Sequence, residues 1–174
     1  MTKYLWTWSL WIGIVAGLFT LFYFLAGFTV YNVVWMIFVS LPIYFGGGAQ
    51  VKEFPHYLFS AISGVIWGML MLWGAGLLIQ YGMSAPWGFG ISVATGTFLA
   101  LGIHMILLGN TWFGKVPIIF AGAAMAFSQN LIVNQGQIIP VIGTLAWGIL
   151  AVVFCSHGGY ILREMMVTEE SKNT

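Results

Sequence analysis

Six apolar stretches divide this chain, near residues 5–26, 31–48, 57–80, 86–107, 115–131 and 138–161, and the charged residues lie between them or at their edges. Runs of about 20 apolar residues have the length of a helix that crosses a bilayer. Backbone N–H and C=O groups in hydrocarbon must be satisfied within the segment, so each run is expected to be helical. The second and fifth runs are shorter than the rest. Each also carries a proline and several small residues, Pro42 with Gly46-Gly47-Gly48 and Pro117 with Gly122.

The cations fall in a regular order. Lys3 precedes the first run, Lys52 separates the second from the third, Lys115 the fourth from the fifth, and Arg163 and Lys172 follow the sixth. With six crossings these positions share one side of the membrane. Loops rich in Lys and Arg stay in the cytoplasm, so both termini are expected there. Trp6, Trp8, Trp11, Trp35, Trp87 and Trp112 fall near the ends of the runs, where an aromatic belt sits. The fold class expected is an all-α membrane protein of six transmembrane helices, a multi-pass protein of the bacterial inner membrane.

Composition agrees. Hydrophobic residues are 60% of the 174 and charged residues 5%, against about 25% charged in a soluble domain. A net charge of +1 leaves no basic face for nucleic acid. The partners expected are the lipid bilayer, a small solute and further copies of the chain. Residues 1–174 read as one transmembrane domain with a short cytoplasmic tail over 165–174. The first run is too long for a signal-peptide core and reads as a retained span. Cys155 is the only cysteine, and a buried thiol packed as a small hydrophobe is expected.

The two halves resemble each other. Pro42-Ile43-Tyr44-Phe45-Gly46-Gly47-Gly48-Ala49 matches Pro117-Ile118-Ile119-Phe120-Ala121-Gly122-Ala123-Ala124 at five of eight positions. Trp67-Gly68-Met69-Leu70 matches Trp147-Gly148-Ile149-Leu150, and Ala16-Gly17-Leu18-Phe19 recurs more weakly as Thr95-Gly96-Thr97-Phe98. The order is kept and the spacing drifts by only a few residues. Three spans is an odd number, so a duplicated unit enters the membrane the opposite way the second time. This is a three-plus-three inverted repeat, over about 4–82 and 85–164, an arrangement found in many transporters. One detail resists it: both proline blocks fall toward the cytoplasmic side, where inversion would place them on opposite sides.

Tyr44-Phe45 followed by small residues, Ser63-Gly64-Val65-Ile66-Trp67 and Pro117-x-x-Phe120-x-Gly122-Ala123 resemble a family of small bacterial inner-membrane proteins catalogued as domain of unknown function 1097. The resemblance spans nearly the whole chain. It implies six helices and brings no catalytic residues.

Candidate chemistry is sparse. There is no Asp, and Glu53, Glu164, Glu169 and Glu170 all lie at expected cytoplasmic positions. Carboxylates inside the membrane are the usual relays of pumps, and none is available. Gly-x-x-x-x-Gly-Lys-Ser/Thr, His-Glu-x-x-His and Gly-x-Ser-x-Gly are absent. An enzyme is not expected, nor a bound cofactor or metal. The breakers in runs two and five mark the candidate solute path. Pro42 frees a carbonyl one turn back, and Gly46, Gly47 and Gly48 open backbone angles closed to other residues. Non-helical backbone survives in a membrane only in protein or along a wet cavity, so helix loss is expected between Pro42 and Gly48. Tyr44, Phe45, Pro117, Phe120 and Gly122 complete this set. Close packing of small residues explains the same blocks about as well.

Trp67 and Trp147 sit near the middle of runs three and six, and each indole N–H there needs a partner. They either wall a constriction or pack on neighbouring glycines. His56, His104 and His157 fall toward cytoplasmic ends and are pH-sensing or ligand candidates. On separate runs, they are more readily three separately satisfied side chains than one metal or haem site. Residues 128–137, with Ser128, Gln129, Asn130, Asn134, Gln135 and Gln137, read as a polar outer loop. Gly13-x-x-x-Gly17 and Gly64-x-x-x-Gly68 are helix-packing motifs. The function expected is a small passive channel or facilitator for a small neutral or weakly charged solute. The alternatives are a non-transporting scaffold or accessory subunit and, further off, a haem- or metal-binding membrane protein.

Overall fold

The computed structural model describes residues 2–26, 34–48 and 50–172, with side chains given for 3–26, 35–48 and 50–165. Six α-helices follow in order: α1 (Thr2–Leu25), α2 (Ile37–Gly46), α3 (Phe54–Gln80), α4 (Ala85–Leu101), α5 (Val116–Gln129) and α6 (Ile138–Lys172). A π-helical segment, Gly102–Leu107, continues α4, and 3₁₀ turns precede α2, α3 and α6. No strand occurs among the described residues.

Side-chain contacts fix the helix directions. Tyr4 donates to the Gly159 carbonyl (3.3 Å) and Trp8 to that of Cys155 (3.4 Å), while Trp147 donates to Phe19 (2.9 Å) and Tyr23 meets Thr144 (3.2 Å). α1 and α6 are therefore antiparallel. The Phe45 ring meets Trp8 edge-on at 6.2 Å, so α2 ends where α1 begins. Ser92 donates to Met71 (2.6 Å) and Trp67 to His104 (3.0 Å), which makes α4 antiparallel to α3. Ser60 sits beside Lys115, Gly64 beside Ile119 and Gly68 beside Ala123, so α3 and α5 run parallel. Successive helices thus reverse direction. Lys3, Lys52, Glu53, Lys115 and Arg163 gather at one end of the bundle, and residues 80–84 and 129–137 at the other. The Lys172 side chain, like those of Glu169 and Glu170, lies outside the described residues.

Four helical stretches are long and apolar enough to cross a membrane: Lys3–Leu25, Val51–Gln80, Ala85–Leu107 and Gln135–Met165. α2 and α5 are not. With 10 and 14 residues at 1.5 Å per residue they rise about 15 and 21 Å, against roughly 30 Å of hydrocarbon. The runs expected at 31–48 and 115–131 are thus short helices, and residues 31–33 and Ala49 lie outside the described residues. Proline accounts for one boundary, since α5 begins at Val116-Pro117, where a missing N–H costs nothing. Beyond 165, α6 continues as helix to Lys172.

The short helices sit at the centre. The core is Met36 and Tyr44 with α2, Tyr57, Ala61 and Val65 of α3, Ile118, Ala121, Met125 and Ala126 of α5, Leu131, and Val141, Leu145, Ile149 and Val152 of α6. α4 packs on the outer side of α3 and α1 on that of α6. The outward faces of α1 and α4 are apolar, with Leu10, Phe22, Trp87 and Phe98 exposed, as suits helices facing lipid.

Candidate functional site

α2 does not break at Pro42. The helix runs through it to Gly46, although proline leaves one carbonyl of the preceding turn without its helical donor. The loss of helix expected between Pro42 and Gly48 falls at the end of that stretch, at Gly47 and Gly48. Gly47 N–H still bonds back to Ile43 (3.2 Å) and Gly48 N–H to Phe45 (3.0 Å), after which the chain turns away. Gly48 has a φ of 86°, a left-handed conformation that favours glycine.

At this tail an aromatic cluster closes the charged end of the bundle. Tyr44 is wholly buried, donates to the Gln50 carbonyl (2.6 Å) and lies 4.4 Å from the Tyr57 ring. Tyr57 reaches from α3 to the backbone of Gly47, where even a methyl group would overlap its hydroxyl. The Lys115 ammonium lies 5.4 Å from the centre of the Tyr57 ring, within cation–π range. Lys115 also pairs with Glu53 at 2.8 Å. Ser60 donates to the Trp112 carbonyl (3.3 Å) and accepts the Lys115 N–H (3.0 Å), fixing the start of α5 on α3. Tyr44, Gly47, Glu53, Tyr57 and Lys115 thus join α2, α3 and α5. Glu53, Tyr57 and Lys115 are not among the site candidates that the sequence offers. The available signal was one acid and one base in different loops on the same side.

The second proline block meets α3 at its glycine. Gly122 sits against the backbone of Ala61 and Val65, and Gly64 against Ile119. A Cβ on Gly68 would lie 2.6 Å from that of Ala126 and 2.7 Å from the Ala123 oxygen. These glycines let α3 and α5 meet backbone to backbone. Gly13 and Gly17 have nothing within 4 Å, so their motif packs no described helix.

Trp67 and Trp147 both find partners, as mid-helix indoles require. Trp147 donates to the Phe19 carbonyl. Trp67 donates to His104 Nε2 (3.0 Å), and His104 Nδ1 lies 2.7 Å from the Phe113 carbonyl. Trp67 also lines an apolar recess between α3, α4 and α5, with Met71, Ala100, Ile119, Phe120 and Ala123. The three histidines do not converge. His104 is 4% exposed, His56 is half-buried and His157 exposed. His56 Nδ1 is buried with no hydrogen-bond partner among the described residues. No group of three His, Cys, Asp or Glu able to hold a metal exists among the described residues.

The polar connection lies at the uncharged end. Asn130 adopts φ 45° and Asn134 donates to the Gln129 carbonyl at 2.9 Å. Cys155 is buried, as expected of a thiol that packs as a hydrophobe. No curated protein and no solved structure matches the chain. The family model described as "Protein of unknown function (DUF1097)" matches residues 9–160, and the chain belongs to that family.

Proposed function

We propose that the protein is a passive facilitator for a small neutral or weakly charged solute, built as a three-plus-three inverted repeat. It crosses the bacterial inner membrane with both termini in the cytoplasm, catalyses no reaction and assembles with further copies of itself. The observation that carries this reading is the pair of short central helices, α2 and α5, closed at the charged end by Tyr44 and Tyr57 over Gly47. Helices too short to span belong in a membrane only where other protein surrounds their ends, and interrupted helices of this kind line the paths of many transporters.

Packing supports the repeat. α4 and α5 lie on α3 as α1 and α2 lie on α6. Gly68 of α3 meets Ala123 and Ala126 of α5, and Gly148 of α6 meets Ile37 and Ser40 of α2. In that register the counterpart of Ile37–Ser40 is 123–126, and the two proline blocks are not counterparts. The difficulty posed by their shared side then disappears. Each half's third helix is wedged against the other half, so the unit is interlocked.

In the closed form the path between α2, α3, α5 and α6 is filled by Met125, Leu145 and Ile149. That dry filling also favours a second reading, a scaffold or accessory subunit in which glycines serve packing alone. Gly47→Leu separates the two. As a facilitator, the variant displaces Tyr57 and changes flux in proteoliposomes while its elution on size exclusion is kept. As a scaffold, neither parent nor variant carries flux. Reporter fusions at 80–86 and 50–55 test the orientation, with the first expected in the periplasm and the second in the cytoplasm.

A further inference from the structure

His104 stands in an unusual place for a titratable side chain. It is buried, in the π-helical continuation of α4, and both ring nitrogens are engaged. The indole N–H of Trp67 can only donate. Nε2 of His104 must therefore accept, and the ring proton must sit on Nδ1, donated to the Phe113 carbonyl. The neutral Nδ1–H form is the one tautomer that fits both partners. The wide turn is what sets the ring there. Leu108 N–H bonds back to Ile103 at 2.9 Å, five residues earlier, and such turns recur at functional sites.

We propose that His104 is the bundle's proton-binding site, and that its protonation releases Trp67 from the wall of the α3–α4–α5 recess. A proton from solvent taken up at Nε2 turns the acceptor into a donor. Two N–H groups then face each other at the present 3.0 Å, and the Trp67–His104 bond cannot persist. The Nδ1–H bond to Phe113 is unaffected, so the 108–115 connection stays tied to α4 while the indole must turn. Trp67 lines the recess with Phe120 and Ala123 of α5, so its movement alters the surface that α5 packs on.

The titratable groups on the elements packed around His104 are few. α3 and its preceding turn carry Lys52, Glu53, His56 and Tyr57, the 108–115 connection carries Lys115, and α4 and α5 carry none. Glu53 and Lys115 are paired with each other, and Tyr57 lies under Lys115. None of these bonds to His104. The switch rests on the imidazole–indole geometry and not on the facilitator reading, and its consequence for flux is a separate matter.

The test uses the full chain in nanodiscs with ¹⁵N-labelled Trp and His. The Trp67 indole signal is assigned by its absence in Trp67→Phe. Expected are a His104 ring in the Nδ1–H form at the alkaline end of a pH series, and a displaced Trp67 N–H signal at its acidic end. In His104→Gln the pH response of that signal is lost, while His56→Gln and His157→Gln keep it. A proton on Nε2 at the higher pH overturns the proposal in the unaltered protein, without recourse to any variant. So does a Trp67 signal that stays fixed across the range, or one that moves equally in His104→Gln. Flux measured across the same range reads the facilitator hypothesis separately: a pH-insensitive flux with a moving Trp67 signal leaves the switch intact.

Discussion

The contact of α1 with α6 and that of α4 with α3 use the same tryptophan differently. Trp147, in Trp-Gly-Ile-Leu, donates to a backbone carbonyl, Phe19. Trp67, in Trp-Gly-Met-Leu, donates to an imidazole. A carbonyl accepts at every pH, whereas an imidazole accepts only while neutral. One contact is therefore permanent and the other conditional. Where a side chain stands in place of a backbone acceptor, the contact depends on that side chain's protonation, and the rest of the packing is free to stay the same.

The largest effect is expected where the comparison holds best, at the glycines next to the tryptophans. Gly68→Leu and Gly148→Leu each drive a side chain into backbone, of α5 and α2 respectively. Overpacking of this kind costs about 1–3 kcal/mol or more, and loss of monodisperse protein on size exclusion is expected for both. Gly17→Leu, in open space, is expected to purify as the parent does. If Gly17→Leu fails as badly, the assignment of packing glycines is wrong.

The tryptophans come next. Trp67→Phe leaves the buried Nε2 of His104 without a donor, a loss of about 1–3 kcal/mol, while Trp147→Phe removes one hydrogen bond to a carbonyl, about 1 kcal/mol. Thermal unfolding in detergent should rank Trp67→Phe below Trp147→Phe. Equal midpoints would erase the distinction between the two contacts.

The smallest effect belongs to the charged end. Lys115 and Glu53 are 29% and 23% exposed, and such pairs contribute about 1 kcal/mol at most, less in salt. Glu53→Gln is expected to lower the unfolding midpoint slightly at low ionic strength and hardly at all near 1 M salt. A large, salt-independent loss would mean that the pair is more deeply desolvated than its exposure indicates.

Much of this fold was legible in the chain. Segment length and hydropathy predicted helices at α1, α3, α4 and α6, and the positions of Lys3, Lys52, Lys115 and Arg163 predicted the end of the bundle where charges gather. The repeated Trp-Gly step marked two places, in α3 and α6, where a glycine meets another helix and the tryptophan before it finds a hydrogen-bond partner. At α2 the helix is lost at Gly47 and Gly48, the end of the stretch expected, while Pro42 itself sits inside the helix. The proline blocks match in letters but sit differently: Pro42 lies within α2, whereas Pro117 opens α5. Gly13 and Gly64 open the same motif, but only Gly64 meets another helix. The cluster of Tyr44, Tyr57, Glu53 and Lys115 was hidden for another reason: its members come from three elements, and spacing along the chain carries no trace of their meeting.

The central claim, a conduit along the short central helices, is tested most directly by stopped-flow light scattering on proteoliposomes challenged with urea and with glycerol as neutral probes. At least one probe is expected to enter several times faster than into protein-free vesicles, with that excess altered in Gly47→Leu protein that elutes normally. Permeability equal to that of empty vesicles for both probes, from correctly assembled protein, would contradict it and leave the scaffold reading in its place.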